Sequence, residues 1–114
     1  MKPARLSLRI DLPNGTRFGP GKAALLKALQ ETGSIRAAAS QLEMSYPRAL
    51  KLIEQMNESF ANPLVETQHG GAEGGGTRVT ELGASVFALY EEICAASDAA
   101  SADTFQALVK HIRD

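Results

Sequence analysis

The chain is poor in the residues that usually announce chemistry. It has one cysteine, two histidines and no tryptophan in 114 residues. A lone Cys94 cannot close an internal disulfide, which fits a reducing cytoplasm. His69 and His111 have no cysteine or carboxylate at metal-ligand spacing, so no zinc site is expected and no metal or cofactor is implied. Long apolar runs are missing, so no membrane span is expected. The N-terminus, MKPARLSLRID, threads charges through its apolar residues and lacks the core of a secretory signal. Paired carboxylates in a setting for acid–base work are missing too, and Cys94 falls on an apolar helical stripe where a buried thiol is expected, so no enzyme activity is predicted.

A strong charge of either sign is also lacking. The formal net charge is −1, which argues against indiscriminate binding to nucleic acid. The distribution says more than the sum. Residues 1–78 carry ten Lys/Arg against seven Asp/Glu, whereas residues 79–114 carry two against six. The basic excess sits with the middle of the chain, and the acidic excess with its C-terminal part.

That middle contains the most informative stretch, SIRAAASQLEMSYPRALKLIEQMN at residues 34–57. Ser34 is a good N-cap for a helix carrying Ile35, Ala38, Ala39 and Leu42, and three successive alanines permit close helix–helix approach. Glu43-Met44 is the bend. Ser45 caps a third helix with Pro47 in its first turn, and Ala49, Ile53, Met56 and Phe60 recur at helical spacing toward the core. Two short helices about a tight bend, the second with a polar and basic N-terminal end, are the layout that inserts one helix into the major groove of DNA.

The flanks read as support. Leu6, Leu8 and Ile10 share one face of an alternating segment, Arg5 to Asp11, predicted as a half-buried strand; Pro13-Asn14-Gly15 is turn chemistry. Gly19-Pro20-Gly21 opens a first helix with Leu25, Leu26 and Leu29 on its apolar face and Gly33 at its end. Residues 64–67 and 77–80 read as two strands around the glycine-rich tip HGGAEGGG, and with the N-terminal strand they predict a three-stranded sheet. No Lys-Ser/Thr follows that tip, so it is not a phosphate-binding P-loop. Thr80 caps a long helix from Glu81. Its stripe Leu82, Val86, Leu89, Ile93 runs beside a second, Phe87, Tyr90, Cys94; two stripes in heptad register predict a partner helix and a homodimer. Residues 97–103 read as a break before a short last helix.

The fold class is therefore mainly α with a small β-sheet. The order of elements resembles a winged helix-turn-helix of the LysR type. By that resemblance residues 1–80 are expected to form a winged helix-turn-helix and residues 81–114 a C-terminal helical dimerisation segment. TGSIRAAASQLEMSYPRALKLIEQMN and HGGAEGGGTRVTELG are similar, more narrowly, to the N-terminal domain of the ModE family of molybdate-responsive transcription regulators. The resemblance covers roughly residues 5–95. It implies a DNA-binding regulator with a link to molybdenum metabolism. The chain stops before the molybdate-binding domains of that family, so the resemblance carries no direct molybdate binding. Pro47 and Arg48 depart from the ModE pattern, while proline there is common in LysR proteins.

The predicted partner is double-stranded DNA, through Ser45, Tyr46, Pro47, Arg48 and Lys51 of the third helix. Arg48 can meet guanine O6/N7 or a phosphate, Tyr46 a phosphate or a thymine methyl, and Lys51 a phosphate. Ser34 and Arg36 open the helix that crosses the backbone, and Ser34 can cap it and meet a phosphate at once. In the wing, His69, Gly70, Gly71, Thr77 and Arg78 can approach the backbone or minor groove. Rival readings are an oxyanion-binding sensor and a protein-interaction module without DNA contact.

Overall fold

The computed structural model describes residues 2–68 and 76–113. In chain order these form β1 (Ile10–Asp11), β2 (Arg17–Phe18), α1 (Pro20–Thr32), α2 (Ile35–Gln41), α3 (Tyr46–Ser59), β3 (Val65–Gln68), β4 (Gly76–Val79) and α4 (Glu81–Val109). The helix boundaries follow from local chemistry. Pro20 stands in the first turn of α1, and Gly33 closes it at φ 66°, a left-handed position that glycine fills at no steric cost. Ser34, Ser45 and Thr80 each turn a side-chain oxygen onto a backbone N–H three residues ahead, at Ala37, Arg48 and Gly83.

Two expectations are corrected. The N-terminal segment does not join the wing in a three-stranded sheet. Only Ile10–Asp11 is strand, and it pairs antiparallel with Arg17–Phe18, while β3 pairs with β4 in a separate sheet. The cause is the turn at Pro13–Gly15: Gly15 adopts φ 88° and Leu12 donates to the Thr16 carbonyl at 2.8 Å, so the chain folds back onto itself at once. Second, α4 runs unbroken for 29 residues through 97–103. Alanine favours helix there, and the Ser101 hydroxyl returns to the Ser97 carbonyl at 2.6 Å instead of opening the turn.

The core lies between α1, α2, α3 and the first half of α4. Phe18, Leu25, Leu26, Leu29, Met56 and Leu64 are its largest fully buried side chains. Phe18 sits edge-on to Tyr90 at 5.2 Å and to Phe60 at 6.1 Å between ring centres. The Tyr90 hydroxyl donates to the Leu8 carbonyl at 2.6 Å and so holds the N-terminal segment onto α4. Gly83 lets α4 approach the wing closely, because a Cβ there would collide with the Leu64 carbonyl and come within 2.7 Å of Val79 Cγ1. Asn57 fastens α3 to β3 by accepting from the Leu64 and Val65 amides and donating to the Val65 carbonyl. Helix α3 is thereby packed on one side against the core and tied to the wing.

Candidate nucleic-acid interface

Ala49, Ile53 and Met56 are buried and define the inward side of α3. At about 3.6 residues per turn the opposite strip is Pro47, Lys51, Glu54 and Glu58, and all four are exposed. Two flanks lie between. One carries Tyr46 and Leu50, toward α2 and the wing. The other carries Arg48, Leu52, Gln55 and Ser59, toward the β1–β2 hairpin. Ser59 fixes that second flank: its hydroxyl lies within hydrogen-bond distance of the Asn14 amide at 3.0 Å and the Thr16 hydroxyl at 2.7 Å.

The N-terminal ends of α2 and α3 come together. The Arg36 guanidinium lies 4.7 Å from the centre of the Tyr46 ring, a cation–π contact. Ser34 accepts from the Ala37 amide at 3.1 Å and Ser45 from the Arg48 amide at 3.2 Å, so both serines act as caps. The bend between these helices holds Glu43 at φ 56°, a left-handed conformation on a residue with a Cβ.

The wing residues divide. Thr77 donates its backbone N–H to the Gly33 carbonyl at 3.0 Å, which ties β4 to the end of α1. Arg78 reaches across the ladder to Glu66 at 2.9 Å in an exposed ion pair. His69, Gly70 and Gly71 lie outside the described residues. On α4, Leu82 and Val86 are half-buried against their own core, whereas Leu89 is 58% and Ile93 46% exposed. Ile10, Leu12, Phe60 and Val86 continue that apolar face into a shallow groove.

Arg48 does not stand alone. It lines a cleft of about 390 Å³ together with Arg17 and Lys22. Sequence reading missed both partners, although Lys22 had a signal. Positions 22, 25, 26 and 29 form one helical stripe, and a lysine there is out of place among three leucines. Glu54 shares the exposed strip with Lys51 and was not singled out by sequence reading.

The described helices include none long and apolar enough to cross a membrane. A family model described as bacterial regulatory helix-turn-helix protein, lysR family, matches residues 22–84. The molybdenum transport protein ModE of Azotobacter vinelandii is 38% identical over 90 residues, covering 79% of this chain and 33% of the relative. The transcriptional regulator ModE of Haemophilus influenzae is 36% identical over 91 residues, covering 80% and 36%. The DNA-binding transcriptional dual regulator ModE of Escherichia coli is 33% identical over 88 residues, covering 77% and 34%. The chain thus spans about a third of the length of these curated relatives.

Proposed function

The chain belongs to the lysR family of bacterial regulatory helix-turn-helix proteins, and on that premise we propose that it is a sequence-specific transcription regulator which inserts α3 into the major groove of DNA. The observation that carries this reading is the exposed strip of α3. Pro47 and Lys51 face solvent at the start of a helix held from behind by the core, and the caps of α2 and α3 point the same N-terminal end outward. Lys51 suits a phosphate, and Ser45, Tyr46 and Arg48 stand in the cap and first turn of the same helix. Arg36, stacked on Tyr46, brings a second cation to the same end. Ser34 and the Thr77–Arg78 edge of the wing flank the DNA backbone.

The protein acts as a cytoplasmic homodimer. Leu89 and Ile93 leave large apolar surface bare on α4, and a second copy of that helix covers it while Leu82 and Val86 complete the seam. A two-fold axis then sets two reading helices on the half-sites of a near-palindromic operator. The names of the relatives connect them to molybdenum transport and to transcription, and genes of molybdenum metabolism are the proposed targets. No enzyme activity belongs to this reading.

Retardation of genomic fragments across a salt series tests it. Binding whose logarithm falls steeply and linearly with the logarithm of salt is expected, with a few fragments retained at salt that releases the rest. Failure to retard any duplex at low salt would refute it.

A further inference from the structure

The cleft beside α3 holds three cations and no carboxylate among its lining side chains. The hairpin brings Arg17, α1 brings Lys22, and the flank of α3 brings Arg48. Among the described residues the only ion pairs are Arg9 with Asp11 and Arg78 with Glu66. Asp11 is the cross-strand partner of Arg17, yet its carboxylate binds Arg9. Lys22 is the unusual member. It is 7% exposed, and its ammonium donates to the Arg17 carbonyl at 2.5 Å, which engages one of three protons. Burial, and then the Arg17 guanidinium, push this ammonium below its ordinary value of 10.5. An ammonium at the wall of a cleft that holds two guanidinium groups and no carboxylate makes the cleft electropositive and suits it to an outside anion.

The same cleft receives the positive end of α1. Gly19, its N-cap, makes no side-chain cap, and the first turn holds no acidic residue. Gly21 leaves the approach open, since a Cβ there would meet nothing within 4 Å. Arg48 is off the outward strip of α3, on the flank that faces this cleft, so its guanidinium is aimed beside the reading face and not along it.

We propose that Arg17, Lys22 and Arg48 form a seat for one phosphodiester of the DNA backbone, at the edge of the groove that α3 enters. The inference rests on the DNA-binding reading above, which stands without the seat. It gives Arg48 a positioning contact, and it leaves base reading to the outward strip.

Salt-dependent binding of the full chain to two duplexes tests this, one selected from genomic DNA and one of random sequence. Arg17→Gln and Arg48→Gln should each lower the salt slope by about one and weaken both duplexes equally. Across a fourfold rise in salt, each variant then loses roughly three- to fourfold less affinity than the parent. Both residues are exposed, so the variants should keep the parental melting transition, and Arg17→Lys should restore most of the slope. A parent with a steep slope and an Arg17→Gln variant with the same slope overturns the seat and leaves the reading helix standing. Loss by Arg48→Gln confined to the selected duplex makes Arg48 a base reader and also overturns it. Calorimetry with inorganic phosphate covers the other source of the anion: binding that Arg17→Gln abolishes, with DNA slopes unchanged, assigns the cleft to a free oxyanion and overturns the DNA assignment. A parent that binds no duplex ends both readings.

Discussion

Arg36 lies over the ring of Tyr46, with its guanidinium carbon 4.7 Å from the ring centre. This contact joins the first turn of α2 to the first turn of α3, which makes the two ends one surface. A double-mutant cycle with Arg36→Ala and Tyr46→Leu should give a coupling of about 0.5–1 kcal/mol in stability, the range of an exposed cation–π pair. Additive losses would show that the two side chains do not act together.

Lys51 should matter to DNA and not to the fold. It is exposed on the outward strip of α3. Lys51→Ala should change stability by no more than about 0.5 kcal/mol while lowering DNA affinity and the salt slope by about one. Retention of the parental slope in a titration from low to moderate salt would remove Lys51 from the interface.

Gly83→Ala tests the packing of α4 on the wing. Inside a helix this change ordinarily stabilises by about 0.5–1 kcal/mol. Here the added methyl meets the Leu64 carbonyl and Val79. The sign should reverse, with a loss of about 1–3 kcal/mol in urea unfolding. A stabilised variant would contradict the close approach.

Tyr90 should make the fold sensitive to alkali. Burial pushes its hydroxyl up to about 12 from 10.0, with the Cys94 sulfur and the Glu91 carboxylate acting in the same direction. The folded chain therefore holds this proton more tightly than the unfolded chain. That stability is fully present below pH 10, and it is lost as pH rises through about 12. Tyr90→Phe should flatten the decline of the urea midpoint over this range. At pH 8 it should cost about 1 kcal/mol, because the Leu8 carbonyl loses its donor. An unchanged alkaline slope would show that another group is responsible.

The bare face of α4 predicts the assembly. Leu89→Glu with Ile93→Glu should convert a dimer to a monomer in sedimentation, with little change in helix content, since both side chains are largely exposed within one chain. A parent already monomeric at high concentration would refute the homodimer.

The helices were legible because their signals are local. Ser34, Ser45 and Thr80 cap where a serine or threonine stands before an apolar period, and Pro20 and Gly33 bracket α1 as those residues do elsewhere. The sheet was less legible. Arg17–Phe18 is too short to show a period, and the alternation of Leu6, Leu8 and Ile10 serves mainly as cover for α4 and an exposed edge. The expected break at 97–103 failed because small polar residues are compatible with helix when alanine surrounds them.

By itself the chain of residues determined where each helix begins and where the chain bends at Glu43, since each depends on neighbours within one or two turns. Tertiary structure alone decided what faces the flank of α3 that carries Arg48, and that Arg17 and Lys22 meet it there. Those three side chains are brought to one cleft by packing between segments up to 31 residues apart, from 17 to 48. No local rule encodes such a meeting, because it depends on how α1, α3 and the hairpin bury their shared core.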